Sequence, residues 1–291
     1  MTATELAPFP AAGAGTPRLG EVIAWTCAGV AVRHADLVTA LASAGLDEGV
    51  ARELAPRHAF TRACKKLSDQ RIIRPVGEDG TTVRFQFTAE TRHTDRIEYT
   101  LETLLTLDKG TGAVTCDLPG LATLAQEHLD HAIAARTGGD VTRVVQRLFE
   151  RHADLFPVRP QGGCYFVPDR HRGFVDQVQG LLGALNGQVL RFPVPAGTAE
   201  GDRSVKRAVA DGLANLVAEH RAAVAGFDAD TRPDTVARAA ERIKAARYKV
   251  ECYAAYLADE KANLDRELAA AAAELRAKVA ALATPAPAAV G

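Results

Sequence analysis

Hydrophobic and polar positions recur with different periods in different parts of the chain. From Arg57 to about Gln70, apolar residues recur every three or four positions, which is the period of an amphipathic helix. After Ile73 the period changes to two, and apolar residues alternate with polar ones between glycine-containing turns, as in antiparallel strands. The change of period predicts an α+β fold in which short helices precede small antiparallel sheets.

This order of helices and strands occurs twice before residue 200. In the first region we expect helices at Arg18–Cys27, from Asp36, at Asp47–Leu54 and at Arg57–Gln70, followed by a hairpin and two further strands. The second region repeats helices, a hairpin, a helix and a strand more loosely. Short helices followed by a hairpin are the order of a winged-helix module, so the pattern predicts one or two winged-helix-like units.

From Asp202 onward the pattern is helical, and the helix beginning at Pro233 meets no further glycine or proline before Pro285. Its apolar residues recur every seven positions, as in a coiled coil. These positions are Val236, Ile243, Val250, Leu257 and Leu264, with a second row at Leu268, Leu275 and Leu282. An unbroken helix of roughly 75 Å is about twice as long as the helix before it. A helical hairpin would leave residues 264–282 uncovered, so we expect self-association or a protein partner through residues 236–282.

These patterns divide the chain into five predicted parts. They are a disordered leader at 1–18, a winged-helix-like domain with an antiparallel sheet at 19–118, a second α+β unit at 119–200, a helical hairpin and coiled coil at 201–284, and a flexible tail at 285–291.

Composition narrows the class of protein. Hydrophobic residues make up 47% of the 291 residues, which is ordinary for a globular protein, and the net charge is −1. The five cysteines are far apart and form no C-x-x-C pair, and the N-terminus has no signal-peptide pattern. No apolar run is long enough to span a membrane. We therefore expect a cytoplasmic protein with reduced thiols and no membrane association.

Positive charge is concentrated between Ala51 and Pro75, where seven basic residues face two acidic ones. Since the apolar row of the helix at Arg57–Gln70 faces inward, its basic residues are expected to face outward and to neutralise phosphates. The predicted DNA-binding residues are Arg57, His58, Thr61, Arg62, Lys65 and Lys66 on the helix and Arg84 on the following strand. A solvated charged helix face is the competing interpretation.

Enzyme motifs are absent from the sequence: there is no phosphate-binding glycine loop, nucleophile elbow or H-E-x-x-H. His128 and His131 have a spacing compatible with a shared metal, but the sequence identifies no third ligand, and we predict neither a metal site, nor catalysis, nor a cofactor.

The segment Arg159–Pro168, with its paired glycines and the aromatics Tyr165 and Phe166, is the most distinctive stretch. We expect a hairpin whose aromatic fills the core; presenting Arg159 and an aromatic to a ligand is the alternative. The GG-x-YFVP hairpin, the following Asp-Arg-His-Arg helix and the long terminal helix resemble a family of uncharacterised bacterial, archaeal and phage proteins. The resemblance covers roughly residues 55–260 and implies a phage or mobile-element setting, without any catalytic residue.

The sequence therefore predicts a non-enzymatic DNA-binding protein that self-associates through its C-terminal helix. The alternative is a coiled-coil structural or adaptor protein that recruits a protein partner and has no role with nucleic acid.

Overall fold

The computed structural model of the protein describes residues 17–68, 71–159, 161–228, 230–257 and 260–283. It confirms an α+β fold with small antiparallel sheets and several helices. The chain splits into two compact units, each built from separate segments. The bundle unit comprises the described parts of Met1–Trp25, Ala153–Phe174 and Val189–Gly291, and the sheet unit comprises Thr26–His152 and Val175–Gln188. This division differs from the predicted boundaries at residues 118 and 200. Most of the predicted leader and all of the predicted tail lie outside the described residues.

The helices and strands of the described residues are numbered here in chain order. The helices are α1 (His34–Ser43), α2 (Pro56–Lys66), α3 (Pro119–Ala134), α4 (Gly138–His152), α5 (Arg172–Ala184), α6 (Ala199–Ala225), α7 (Pro233–Cys252), α8 (Ala254–Leu257) and α9 (Glu260–Ala283). The strands are β1 (Arg18–Thr26), β2 (Ala31–Arg33), β3 (Arg71–Glu78), β4 (Thr82–Arg92), β5 (Ile97–Asp108), β6 (Val114–Thr115), β7 (Ala135–Thr137), β8 (Phe156–Pro157), β9 (Tyr165–Pro168) and β10 (Gln188–Pro195).

The sheet unit is organised around an antiparallel sheet with the strand order β3-β4-β5-β6. On β4, Val83, Phe85 and Phe87 are buried and the residues between them are not, as the alternation in the sequence predicts. Helices α2 and α3 pack against this apolar side. Phe60 of α2 meets Phe85 edge to face, with ring centroids 5.4 Å apart. The apolar row predicted for α2 is therefore part of the core.

A short antiparallel ladder between β2 and β7 fixes the start of α4. Val32 lies opposite Arg136 in this ladder, and α4 follows β7 without an intervening loop. A Cβ atom on Gly138, the first residue of α4, would lie 2.0 Å from the carbonyl oxygen of Cys27. Only glycine allows this approach, which places Asp140 and Arg136 close to α2.

The bundle unit combines a four-stranded sheet, in the order β10-β1-β9-β8, with helices α6, α7 and α9. Phe156 and Phe166 from the sheet share one hydrophobic core with residues of all three helices. Glu21 of β1 is almost fully buried and accepts hydrogen bonds at 2.5 and 2.7 Å from Arg191 of β10. This pair satisfies a buried charge inside the sheet.

The predicted first helix at Arg18–Cys27 is wrong, because residues 18–26 form strand β1. The β-branched residues Val22 and Ile23 favour extended backbone, and Gly20 is unfavourable within a helix. A Cβ atom on Gly20 would lie 2.2 Å from the carbonyl oxygen of Val167 on β9, so the pairing of the two strands requires glycine there.

The predicted unbroken helix from Pro233 to Ala283 is also wrong. In the described residues it is divided into α7, α8 and α9. Helix α7 ends at Cys252 because Tyr253 has non-helical backbone, with φ −108° and ψ 15°, and its side chain is buried. The chain can therefore turn back instead of continuing outward.

Helix α9 folds back on α7 and packs on α6 as well. Leu264, Leu268 and Leu275 are buried in the core formed with these two helices, and Arg247 of α7 donates a hydrogen bond of 3.4 Å to the carbonyl oxygen of Leu268. The side chain of Leu282 lies outside the described part of the chain. Since the chain itself covers Leu264, Leu268 and Leu275, these three leucines give no reason to expect self-association.

Candidate functional site

A cleft in the sheet unit brings basic residues together from three segments: the stretch 51–55, α2, and the stretch from β7 into α4. Its volume is about 680 Å³. The basic side chains that line it are Arg52, His58, Arg62, Lys65, Arg136, Arg143 and Arg147. Glu53 and Asp140 are the carboxylates of the described lining, which therefore carries an excess of four positive charges in a chain of net charge −1.

Helix α2 forms one wall of the cleft. His58, Thr61, Arg62 and Lys65 follow one another at spacings of three, one and three residues, so they share the helix face that lies away from its buried row. Four of the seven residues predicted to bind DNA therefore lie in the cleft. The hydroxyl of Thr61 donates a hydrogen bond of 2.8 Å to the carbonyl oxygen of Arg57, one turn earlier in the helix.

An ion pair between Arg62 and Asp140 connects α2 to the first turn of α4. The two guanidinium nitrogens of Arg62 donate to the two carboxylate oxygens at 2.8 and 2.5 Å. The backbone N–H and hydroxyl of Thr137 donate to Oδ2 of Asp140 at 2.9 Å each, and Arg143 lies 3.4 Å from Oδ1. Burial would raise the pKa of Asp140, but the hydrogen bonds from Arg62 and Thr137 outweigh it and hold the pKa below its ordinary value. Arg62 thus holds two helices together, a role that differs from the predicted DNA contact.

Acid should weaken this connection. Because the pKa of Asp140 is lowered by folding, its contribution to stability is fully present above its ordinary value of 3.8 and is lost as the pH falls towards the folded-state value. We expect Asp140→Asn to be less stable than the wild type at pH 7, with the difference narrowing below about pH 4. Urea unfolding of both proteins between pH 7 and about pH 3 measures the difference in their free energies of unfolding. If this difference stays constant with pH, the ionised Asp140 does not stabilise the fold through its ion pair.

The rim of the cleft carries cations that are free to meet a ligand. Arg52 and Lys65 are exposed, and no carboxylate of the described residues lies within 4.0 Å of either. The side chain of Arg143 is 64% exposed, while Arg147 donates a hydrogen bond of 3.2 Å to the carbonyl oxygen of Val50. The rim therefore presents exposed positive charge above the buried part of the cleft.

The other three predicted residues lie outside the cleft. Arg57 pairs with Glu78 at 2.7 Å, and Arg84 lies 3.5 Å from Asp79, which places both next to the β3–β4 turn. Lys66 is exposed at the end of α2 but does not line the cleft. Carboxylates beside Arg57 and Arg84 reduce the local positive charge that a phosphate would meet.

Sequence reasoning did not place Arg52, Arg136, Arg143 and Arg147 in one site. Arg143 and Arg147 are one helical turn apart, and this spacing does indicate a basic stripe on α4. Nothing in the sequence indicates that this stripe faces α2, because the ladder between β2 and β7 that places it is visible only in the structure.

The hairpin at Arg159–Pro168 belongs to the bundle unit. Gly162 and Gly163 have φ angles of 69° and 79°, as expected for its turn, and Phe166 is buried in the core. Tyr165 stacks on Trp25 with ring centroids 5.1 Å apart. The aromatics thus serve packing, which is the interpretation we favoured for this segment.

The described residues give little support for a metal site or for a reactive cysteine. They contain no group of three or more His, Cys, Asp or Glu side chains able to hold a metal ion. Burial raises the pKa of the Cys64 thiol to about 12, so this cysteine is a poor nucleophile. Among the helices of the described chain, none is both long and apolar enough to cross a membrane.

Comparison with known proteins adds a family and no function. No curated protein and no solved structure matches the chain. A family model described as "Family of unknown function (DUF6744)" matches residues 18–287, a longer stretch than the resemblance at residues 55–260 covered. Because this match includes nearly the whole sequence, the chain belongs to the DUF6744 family, a family of unknown function.

Proposed function

We propose that the protein binds DNA without catalysing a reaction, and that the cleft of the sheet unit receives the phosphate backbone. The observation that carries the proposal is the gathering of six Lys and Arg side chains from three segments around one concave surface with two carboxylates. In a protein of net charge −1, such a local excess needs a reason beyond solubility.

Phosphate binding fits the chemistry of this surface. Exposed lysine and arginine side chains neutralise phosphates and release the counterions that surround DNA, which makes binding strongly dependent on salt. Arg52, Lys65 and Arg143 are exposed at the rim, where they can reach phosphates along a strand. In the proposal, the sheet unit acts as a winged-helix-like module in which α2 is the helix that faces DNA. Arg62 stabilises the position of that helix through its ion pair with Asp140.

The predicted role of the C-terminal helix receives no support from its packing. Its described heptad leucines, Leu264, Leu268 and Leu275, are covered by α6 and α7, so they provide no uncovered apolar row for self-association or for a partner. The adaptor function, the alternative to DNA binding, is therefore the weaker candidate.

Charge reversal at the rim tests the proposal. Arg52→Glu together with Lys65→Glu should weaken DNA binding by roughly 10- to 100-fold and lower the slope of affinity against salt. Fluorescence anisotropy of labelled duplex and single-stranded DNA, between about 50 and 200 mM salt, measures both quantities. Neither side chain has a carboxylate partner among the described residues, so folding should be unaffected.

Lys66→Glu together with Arg74→Glu is the matched control. Both side chains are exposed, both lie outside the cleft, and the double variant changes the net charge by the same amount. The proposal expects a much smaller loss of affinity for this control. Equal losses in the two variants, or no binding by the wild type at low salt, would refute binding through the cleft.

A further inference from the structure

The floor of the cleft contains a buried arginine. Arg136 is 5% exposed and lines the cleft together with the buried side chains of Leu37 and Val144. Its position is fixed by the ladder between β2 and β7, where it lies opposite Val32. Charged side chains are rarely buried to this degree unless an opposite charge accompanies them.

No carboxylate of the described residues forms a direct ion pair with Arg136, although Asp140 and Glu53 act on its charge from a greater distance. Its Nη1 atom donates to the carbonyl oxygens of Ile133 and Ala135 at 2.9 and 3.0 Å, and no described carboxylate lies within 4.0 Å of its guanidinium group. Asp140, the buried carboxylate of the cleft, is already hydrogen-bonded to Arg62 and Thr137. Burial lowers the pKa of Arg136, as expected for a cation without a sufficient counter-charge.

A second polar group near Arg136 lacks a partner. The Nδ1 atom of His34 is buried and has no hydrogen-bond partner among the described residues. The pKa of His34 is lowered by burial and then by the charge of Arg136, while the carboxylate of Glu53 acts in the opposite direction. His34 is not among the described residues that line the cleft, so a bound anion would satisfy the guanidinium of Arg136, which has no direct carboxylate partner.

We infer that the floor of the cleft is a binding site for a terminal phosphate group, a phosphate monoester, with Arg136 as its main ligand. The planar guanidinium fits two phosphate oxygens, and the apolar neighbours Leu37 and Val144 strengthen the attraction by excluding water. An internal phosphodiester carries a sugar on each side, and the two sugars would hinder its entry into the floor, so we expect it to bind at the exposed rim. A terminal phosphate carries more negative charge and can enter the floor end-on.

The phosphate has two sources with the same chemistry: the end of a DNA strand, or a small phosphorylated molecule. The inference that it is a strand end rests on the proposed function. The phosphate site itself rests on the buried Arg136 in the cleft, so the site and the proposed function can fail separately.

Inorganic phosphate tests the site directly. At constant ionic strength, added phosphate should raise the thermal unfolding midpoint of the full chain, with saturation, relative to chloride. Arg136→Gln should abolish this phosphate-dependent rise, because it removes the guanidinium group that binds the phosphate. Arg136→Lys, which keeps the charge without the planar fork, should retain a weaker response. Absence of a phosphate effect in the wild type, or its persistence in a folded Arg136→Gln variant, would overturn the site.

Two oligonucleotides of one sequence distinguish the sources. If the ligand is a strand end, an oligonucleotide with a 5′-phosphate should bind roughly 10- to 100-fold more tightly than one with a 5′-hydroxyl, and Arg136→Gln should remove the difference. Phosphate binding without this difference supports the site and assigns it to a small molecule. Oligonucleotide binding without any phosphate effect leaves the proposed function intact and overturns the inference.

Discussion

Replacing Asp154 with alanine is expected to lower the free energy of unfolding of the bundle unit by about 3–5 kcal/mol. The carboxylate is 6% exposed and accepts hydrogen bonds from Arg170 at 2.5 Å, Lys249 at 2.7 Å, the hydroxyl of Tyr253 at 2.8 Å and His171 at 3.1 Å. Without the carboxylate, these polar groups would remain together with no common acceptor, and two of them carry positive charge.

The geometry around Asp154 explains why the loss should be large. Arg170 also lies over the ring of Tyr253, 4.8 Å from its centroid, so removing the acceptor disturbs a cation–π contact as well. Burial would raise the pKa of Asp154, but hydrogen bonds from His171, Lys249 and Arg170 outweigh it and leave the carboxylate ionised. The network connects the segment that follows α4 to the end of α7.

The single tryptophan provides the measurement. Trp25 lies in the bundle unit and stacks on Tyr165, so urea unfolding followed by its fluorescence reports on this unit. Asp211→Ala is the control, because Asp211 forms an exposed pair with Arg207 at 3.6 Å whose loss should cost less than about 1 kcal/mol. Equal destabilisation by the two variants would show that the Asp154 network does not stabilise the unit.

Leu268→Ala is expected to lower the free energy of unfolding by about 2–5 kcal/mol without changing the oligomeric state. Leu268 is fully buried among residues of α6, α7 and α9, so its truncation leaves a cavity inside one chain. Val279→Ala on the same helix should change stability by less than about 0.5 kcal/mol, since Val279 is exposed.

This experiment distinguishes an intramolecular bundle from a coiled coil between chains. For the bundle, the urea midpoint is independent of protein concentration, and sedimentation shows the same species for both variants. If the heptad leucines paired two chains, the midpoint would rise with concentration and Leu268→Ala would dissociate the oligomer. The second result would contradict the packing described for α9.

Local periodicity was sufficient to predict which residues of α2 and β4 face the core of the sheet unit. The apolar row of α2 and the alternation at Val83, Phe85 and Phe87 each depend on neighbours a few residues apart, and the structure confirms both. Basic residues on the outward face of α2 were visible for the same reason, so His58 and Lys65 were expected to face outward, and both line the cleft.

Features that depend on distant partners could not be predicted in this way. A seven-residue repeat has the same appearance whether the helices that cover it belong to the same chain or to another, so Leu264 and Leu268 could not show that α9 folds back. Arg62 was indistinguishable from its exposed neighbours, because its partner Asp140 is 78 residues away in the sequence. Burial of Arg136 follows from the ladder between β2 and β7, which no local pattern indicates.

The discontinuous construction of the bundle unit sets an order for folding during synthesis. Strand β1 pairs with β9 through residues such as Gly20 and Pro168, which are separated by the whole of Thr26–His152. At about 5–20 residues per second, the ribosome needs roughly 6–25 s to make this intervening stretch, and β1 has no partner during that time. The central sheet of the sheet unit, whose strands are neighbours in sequence, can form within the same interval. An N-terminal strand that waits for its partner is a natural target for a chaperone, and the bundle is completed only when α9 has left the ribosome.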